Sequence, residues 1–270
     1  MGRVGRVGRV GRVGRVGGRV GRVGQIGKNS VALNRALSKL GILSRTQATD
    51  AIRAGRVTVD GRVVRDPFRA IVPERSRIAI DGRPQRKAPW RTILFHKPRG
   101  VVTTRRDPDG RRTIYDVLGA EADGMIAVGR LDLASSGLLL LTTDTQLAHR
   151  ITDPASGIAR LYVVTVRGRV TAEEVERLER GIESGRDRLR PSSVVLTKAS
   201  GRESHVIVEL REGRNREVRR LFEAIGHEVT RLERVKLGAL ELGSLAPGEW
   251  REVSELEIER AFGSISRTRS

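Results

Sequence analysis

The clearest pattern of apolar and polar positions lies near the middle of the chain. Two apolar runs, Met125–Val128 and Leu138–Leu141, flank a short polar turn, and such runs favour two buried strands. The turn carries Arg130 and Asp132, two residues apart. A carboxylate at the rim of a buried sheet, kept ionised by a neighbouring cation, can act as a nucleophile. Taken alone, the pattern more often marks an aspartate that caps a turn, so the rest of the chain has to decide.

Residues 30–86 predict a small module of two helices and a short sheet. Leu33, Leu37 and Leu40 recur at helical spacing, and Gly41 follows where that helix would end. A second helix opens with a capping box, and the strands after it turn at Asp-Gly pairs. These further elements are marked by Ser44, Gln47, Gly55, Val57–Val64 and Arg77–Ile80.

Residues 90–262 predict a larger module with many short strands and a few helices. The strands and helices do not alternate regularly, which favours an α+β fold with a mixed or antiparallel sheet. Beyond the two central runs, strands are predicted at Ile93–Phe95, Leu161–Val166, Val194–Thr197, His205–Leu210 and within residues 228–253. Helices are predicted at Gln146–Ile151, after the capping box at Thr171 with Val175, Leu178 and Ile182 facing inward, and at Asn215–Ile225.

The remaining segments are a tail and a linker. Residues 1–29 consist largely of Gly-Arg-Val repeats, which cannot bury a core and are expected to be disordered. The tail would be either a basic arm that binds RNA phosphates or a low-complexity expansion without consequence. Residues 83–91 are basic, contain two prolines and show no periodicity, as in a linker between two modules.

Charge and composition narrow the class of partner. The net charge is +20 over 270 residues, and since residues 1–29 supply eight of the positive charges and no acid, the rest keeps +12. This favours nucleic acid over a membrane surface, because no basic amphipathic helix with an aromatic face is present. The apolar runs are too short to span a bilayer, so we expect a soluble, cytoplasmic protein. Nothing marks a dimer surface, and a monomer is expected.

Metal chemistry is not expected. The chain has no cysteine, and its four histidines, His96, His149, His205 and His227, are scattered without the spacing of metal ligands.

The N-terminal module resembles a known RNA-binding family. The segment S-R-T-Q-A-T-D-A-I-R-A-G-R-V-T-V-D-G-R-V-V is similar to the alpha-L RNA-binding domain, and the likeness covers about 50 residues. The resemblance implies that basic residues on the second helix and the turn after it face RNA. In this sequence those positions are Arg45, Arg53 and Arg56.

Three segments of the larger module carry a second resemblance. They are G-R-L-D around Asp132, R-L-Y around Tyr162, and the segment E-G-R-N-R-E-V-R-R-L-F that starts at Glu212. Together they resemble the ribosomal RNA pseudouridine synthases of type A, which act on the small subunit, and type B, which act on the large subunit. The third segment looks closer to the type B branch. The likeness extends from residue 30 to about residue 260. It implies an α+β pseudouridine synthase catalytic domain that follows a small N-terminal RNA-binding domain.

The resemblance also implies a role for each residue of the site. Asp132 would be the nucleophile, Arg219 its basic partner, and Tyr162 the aromatic residue that stacks on the target uracil. Arg130 would fill the place that the target base leaves in the RNA, and Val218 would pack beneath that base. Ser135 stands where the family often has threonine, and the hydroxyl group is retained.

The chemistry suits these residue types. Isomerising uridine to pseudouridine breaks the N1–C1′ bond, turns the uracil and rejoins it through C5, so no cofactor is expected. It requires an ionised carboxylate with a cation nearby and a pocket for an extruded base. Ribosomal RNA, in a single-stranded or loop region, is the expected partner. The sequence leaves open whether the carboxylate attacks the sugar or removes a sugar proton to give a glycal.

Two other classes of protein fit parts of the pattern. A non-catalytic ribosome-binding protein would use the basic modules alone, but such a protein would be free to lose Asp132, Tyr162 and Arg219. A glycoside hydrolase would need a second carboxylate as acid. These segments offer no clear candidate, and Glu217 would have to take that role. The aromatic content of 3% also offers few platforms for stacking on a sugar.

Overall fold

We describe the protein from a computed structural model that covers residues 30–40, 42–73, 75–85 and 90–263. The predictions for the tail and for Gly41 lie outside these residues. No helix in the described ranges is both long and apolar enough to cross a membrane.

The N-terminal part forms two helices and short strands, as predicted. The elements are β1 (Val31–Ala32), α1 (Leu33–Lys39), α2 (Arg45–Arg53), β2 (Val57–Val59), β3 (Arg62–Val63), β4 (Ala70–Ile71), β5 (Ile78–Ile80) and β6 (Arg83–Pro84). The capping box of α2 is formed, since the Ser44 hydroxyl accepts from the Gln47 N–H and the Gln47 side chain accepts from the Ser44 N–H. Strands β3, β2, β5 and β6 make an antiparallel sheet in that order.

This part has its own apolar core. Side chains of α1 and α2 pack on β2 and β5, with Leu33, Leu37, Ile52 and Val57 fully buried. Strand β6 pairs with β5, so the segment expected to be an irregular linker begins with an ordered strand.

The larger part is an α+β unit, as predicted. Its strands are β7 (Thr92–Lys97), β8 (Ile126–Val128), β9 (Ser136–Thr142), β10 (Arg160–Arg167), β11 (Ile182–Ser184), β12 (Asp187–Leu189), β13 (Ser193–Ala199), β14 (Glu203–Leu210), β15 (Val229–Leu237), β16 (Leu240–Glu241) and β17 (Trp250–Glu252). Its α-helices are α3 (Ile114–Leu118), α4 (Thr145–Thr152), α5 (Ala172–Arg180), α6 (Glu217–Glu223) and α7 (Glu255–Phe262).

The main sheet is mixed. Its strands run in the order β13, β14, β10, β15, β9, β7 and β17, while β16 pairs with β15 and β8 pairs with β9. All of these pairs are antiparallel except β15 with β9, which is parallel. The prediction of a mixed or antiparallel sheet is therefore confirmed, with one parallel junction at its centre.

The run Leu138–Leu141 is buried on both faces of this sheet. Leu139 and Leu141 belong to a core that includes α3, α5 and α6, whereas Leu138 and Leu140 belong to a second core with α4 and α7. A central strand covered on both sides reads as a continuous apolar run, which explains why this segment does not alternate with polar residues.

The structure differs from the prediction at the end of α5 and at the start of α6. Ile182 lies in β11 rather than on α5, because Gly181 ends the helix with a positive φ. Helix α6 begins at Glu217, after Arg216 takes a left-handed conformation with φ of 49°, which is uncommon for a residue other than glycine.

Candidate active site

Asp132 lies in the loop between β8 and β9, which pair as antiparallel strands. Its side chain is half-buried, and its carbonyl oxygen accepts a hydrogen bond from the Ser135 N–H at 3.0 Å. Gly129 opens the loop with φ of 75°. The two apolar strands thus place this carboxylate at the rim of the sheet, as their pattern predicted.

A second segment fixes the same loop from the side. The Thr103 hydroxyl donates to the Leu131 carbonyl oxygen at 2.8 Å and accepts from the Leu131 N–H at 3.3 Å. The Gly100 N–H donates to the Leu133 carbonyl oxygen at 2.8 Å. Backbone groups on both sides of Asp132 are therefore held by hydrogen bonds, which limits the positions its carboxylate can take.

Lys97 is a buried cation near the Asp132 loop that the sequence did not single out. It ends β7, is fully buried, and donates from Nζ to the carbonyl oxygens of Ser135 at 2.8 Å and Pro98 at 3.0 Å. Burial lowers the pKa of Lys97 to about 8, and attraction to Asp132 opposes that shift. The available signal was a lysine at the end of the apolar strand T-I-L-F-H-K.

Arg219 lies near Asp132 but does not form an ion pair with it. Its guanidinium donates to the carbonyl oxygens of Ala134 at 3.1 Å and Val229 at 2.9 Å. Burial lowers the pKa of Arg219, repulsion from Arg216 adds to this, and attraction to Asp132 opposes it. Arg219 therefore ties the Asp132 loop to β15 and supplies positive charge from a short distance.

A cavity of about 540 Å³ opens beside this loop. It brings together four of the predicted residues, Arg130, Asp132, Tyr162 and Val218. Arg219 lines a neighbouring cavity instead. The volume lies within the usual range for small-molecule sites, and one side chain of each required kind is present: a carboxylate, an aromatic ring and an apolar side chain.

Two further arginines line this cavity, and the sequence patterns assign them no role. Arg160 lies two residues before Tyr162 on β10, and Arg234 lies on β15 opposite Tyr162. Both are buried. Arginine side chains are mostly exposed in folded proteins, so the sequence offers no reason to expect these two in the wall of a cavity.

The turn before α6 is held by Glu217. One carboxylate oxygen accepts from the Arg214 N–H at 3.0 Å, while the other is buried without a hydrogen-bond partner among the described residues. Burial raises the pKa of Glu217 to about 7, with the hydrogen bond from Arg214 opposing it. Glu217 does not line the cavity with Asp132, so it is not placed to serve as the acid of a glycoside hydrolase. Glu212 does line this cavity, but its carboxylate pairs with Arg214 at 2.7 Å.

The mouth of the cavity is basic. Arg130, Arg214 and Arg216 all line it and are exposed. Arg214 also pairs with Glu212 at 2.7 Å and with Asp187 at 3.2 Å. Exposed arginines around a pocket suit a polyanion whose backbone passes over the mouth.

The three arginines predicted to bind RNA lie on the N-terminal part. Arg45 and Arg53 mark the two ends of α2, Arg56 follows that helix, and all three are exposed. Arg56 differs from the others because its Nε donates to Asp81 at 2.9 Å and its Nη2 also contacts that carboxylate.

Known proteins match both parts of the chain. Residues 91–224 match the RNA pseudouridylate synthase family, and residues 33–68 match the S4 domain. The chain is 35% identical over 236 residues to an uncharacterized RNA pseudouridine synthase of Aquifex aeolicus (strain VF5), covering 87% of this chain and 95% of that one. This chain belongs to the RNA pseudouridine synthase family. The predicted α+β fold, the N-terminal RNA-binding domain and the enzyme class are thereby confirmed.

Other members of the family extend the comparison. The ribosomal large subunit pseudouridine synthase B of Bacillus subtilis (strain 168) is 36% identical over 231 residues, which cover 84% of this chain and 94% of that protein. A crystal structure of a pseudouridylate synthase aligns with a TM-score of 0.63 and 30% identity, covering 86% of this chain and all of the other. The likeness to pseudouridine synthases therefore spans the S4 domain and the catalytic domain together.

Proposed function

We propose that this pseudouridine synthase isomerises a specific uridine of large-subunit ribosomal RNA, with Asp132 as the nucleophile and without a cofactor. The observation that carries the proposal is the single cavity lined by Asp132, Tyr162, Val218 and Arg130. The resemblance of the sequence implies a part in the reaction for each of these four side chains.

Each residue has a distinct task. The target uridine leaves the RNA stack and enters the cavity, where its uracil stacks on Tyr162 and rests on Val218. Arg130, exposed at the mouth, takes the place of the base in the RNA. Because a flipped base exchanges stacking within RNA for stacking on protein, the apolar side chains of the cavity offset part of the unstacking energy.

Asp132 acts at the sugar. Its half-buried carboxylate makes no ion pair or hydrogen bond within the described part of the chain, while Lys97 and Arg219 attract it. An ionised carboxylate held in this way can attack C1′ of the ribose or remove a proton from C2′ to give a glycal. Both routes break the N1–C1′ bond, which releases the uracil from the ribose, and rejoin the base to C1′ through C5.

The RNA partner is inferred from charge and from relatives. An S4 domain with exposed Arg45 and Arg53 and a basic cavity mouth suit a folded RNA. Relatives such as that of Bacillus subtilis are named for the ribosomal large subunit, which favours large-subunit RNA as the substrate. We place the enzyme in the cytoplasm, acting as a monomer on ribosomal RNA, with residues 1–29, 30–86 and 90–262 as tail, RNA-binding domain and catalytic domain.

Pseudouridine mapping tests the proposal. Ribosomal RNA from cells that lack the protein is compared with RNA from cells complemented with wild type, Asp132→Asn or Asp123→Asn. Asp123 is an exposed aspartate of the same domain and serves as the matched control. We expect one large-subunit site to lose its pseudouridine and to regain it with wild type and Asp123→Asn alone. If Asp132→Asn restores the pseudouridine, that aspartate is not the nucleophile. If the map is the same with and without the protein, ribosomal RNA is not the substrate.

A further inference from the structure

Two arginine side chains are buried in the wall of the cavity that Asp132 lines. Arg160 is 7% exposed and Arg234 is 4% exposed, and both line the cavity that holds Asp132 and Tyr162. Arginine is rarely buried to this degree unless an acid or a ligand balances its charge.

Neither group forms an ion pair within the described residues. Arg160 donates to the backbone carbonyls of Ile151 at 3.0 Å and Ile158 at 2.8 Å. Arg234 donates from Nε to the Leu138 carbonyl oxygen at 2.8 Å, while its Nη2 is fully enclosed and has no hydrogen-bond partner. A buried donor left unsatisfied costs about 1–3 kcal/mol, and more when it is charged. Because no acid balances the charge of Arg234 or Arg160, the positive potential at this wall of the cavity favours an anion.

The fold places Arg234 beside the residue assigned to stack on the base. Tyr162 and Arg234 are opposite one another on the antiparallel strands β10 and β15, and residues in such pairs share a face of the sheet. The exposed arginines 130, 214 and 216 lie at the mouth. RNA phosphates that pass over the cavity meet these exposed groups, whereas a group that enters the cavity meets Arg234.

We propose that Arg234 binds the uracil of the target nucleotide and stabilises the negative charge that the base acquires when its bond to the ribose breaks. The inference rests on the proposed function and adds a residue to its reaction. Arg160 reinforces the effect, since Arg160 and Arg234 repel one another and an anion between them relieves that repulsion.

The charge follows from the electron pair of the broken bond. When N1–C1′ breaks, that pair stays with the uracil, and the resulting monoanion spreads its charge over N1, O2 and O4. The ring then bonds to C1′ through C5, the hydrogen on C5 leaves as a proton, and N1 gains a proton. No oxidant, reductant or other reactant is consumed. A guanidinium that interacts more strongly with the anion than with the neutral base accelerates the cleavage.

Single-turnover kinetics separate this role from binding to the RNA backbone. The full chain is used with an RNA fragment that contains the target uridine, and Arg234→Met is compared with Arg216→Met, an exposed arginine at the mouth. We expect Arg234→Met to slow cleavage of N1–C1′ by about a hundredfold or more with the RNA affinity unchanged. Arg216→Met should weaken RNA binding and its salt dependence instead. If Arg234→Met weakens binding in the same manner, or leaves the rate unchanged, the proposal is wrong.

A more acidic base provides the second measurement. An electron-withdrawing halogen at C5 of the target uridine stabilises the uracil anion by itself, so the deficit of Arg234→Met in the rate of N1–C1′ cleavage should shrink on that substrate. Because the halogen cannot leave C5 as a proton, cleavage of the N1–C1′ bond is measured and not the formation of pseudouridine. An equal deficit on both substrates would show that Arg234 acts through the fold and not on the base. Should Arg234→Met fail to fold, Arg234→Lys and Arg234→Gln are compared in the same way, with the charged variant expected to retain more of the rate.

Activity of the wild-type enzyme separates an error in the role of Arg234 from an error in the proposed function. If the wild-type enzyme forms no pseudouridine in ribosomal RNA, the function itself is wrong. If the wild type is active and Arg234→Met matches it on both bases, only the role of Arg234 is wrong.

Discussion

Gly137 and Arg234 lie directly opposite each other across the parallel junction of β9 and β15. A Cβ atom at position 137 would lie 2.3 Å from the Arg234 carbonyl oxygen and 2.6 Å from its nitrogen. Gly137 also has φ of 109°, which side chains rarely tolerate. The glycine therefore allows β15 to approach the strand that follows the Asp132 loop.

Replacing Gly137 with alanine should separate these strands. We expect Gly137→Ala to lower the free energy of unfolding by about 3 kcal/mol or more, since overpacking and a positive φ act together, and to abolish activity. Urea unfolding and a turnover assay measure both effects. Gly226→Ala is the control, because Gly226 has φ of 85° but nothing within 4 Å of an added Cβ, so it should cost only about 1–2 kcal/mol. Equal losses for the two variants would contradict the steric argument.

Lys97 should set an upper pH limit on the reaction. Its pKa is about 8, so the positive charge beside Asp132 is present below that pH and is lost as the pH rises through it. The wild-type rate should therefore fall above about pH 8, and Lys97→Met should be slower by about tenfold or more at neutral pH and lack that fall. Lys198→Met, at an exposed lysine of β13, is the control. A Lys97→Met enzyme with the wild-type pH profile would refute this role.

Glu217 should make stability depend on pH. Burial raises its folded pKa to about 7 from an ordinary value of 4.5, so its protonated form is favoured in the fold. Its contribution is complete below the ordinary pKa and is lost as the pH rises through about 7. The free energy of unfolding of Glu217→Gln, relative to that of wild type, should therefore rise by up to about 3 kcal/mol as the pH goes from acidic to mildly basic.

Urea unfolding across this pH range tests the expectation for Glu217. Glu223→Gln, at an exposed position of the same helix, should differ from wild type in its free energy of unfolding by the same amount at every pH. A constant difference for Glu217→Gln as well would mean that Glu217 titrates as it does in the unfolded chain.

The N-terminal arginines should differ in their contribution to RNA binding. Arg53→Ala should lower the affinity for a ribosomal RNA fragment and reduce the salt slope by about 1, as expected when one phosphate contact is lost. Arg56→Ala should do less, because Arg56 is already neutralised by Asp81, and Asp81→Asn should strengthen binding. Titrations at several salt concentrations measure these slopes. An Arg56→Ala slope change as large as that of Arg53→Ala would show that the ion pair opens on binding.

Much of the fold was predictable because its signals are local. The capping boxes at Ser44 and Thr171 involve residues three apart. The strands on either side of Asp132 are short apolar runs next to a turn, and their length favours a buried strand over a helix. Gly181, by contrast, ends α5 one residue before Ile182, and helical spacing alone does not show where a helix stops.

The candidate site was predictable only in part, for a related reason. Asp132, Tyr162 and Val218 stand in recognisable segments, but Lys97, Arg160 and Arg234 lie in strands where the sequence gives no sign that a charged residue is buried. Their burial depends on pairing between strands far apart in the chain, such as Tyr162 with Arg234. The resemblance implies that Arg219 is the basic partner of Asp132. Only the fold shows that Arg219 contacts this loop by donating to the Ala134 carbonyl oxygen.

The parallel junction between β9 and β15 has a consequence for how the enzyme loses activity. Only two residue pairs register across it, Ser136 with Glu233 and Gly137 with Arg234, and it joins two antiparallel halves of the sheet. Asp132 belongs to one half, and Tyr162 and Arg234 belong to the other. The proposed active site therefore depends on the contact between β9 and β15. Partial separation of these two strands would inactivate the enzyme, while each half of the sheet kept its own hydrogen bonds. Inactivation by heat or denaturant should therefore precede loss of secondary structure.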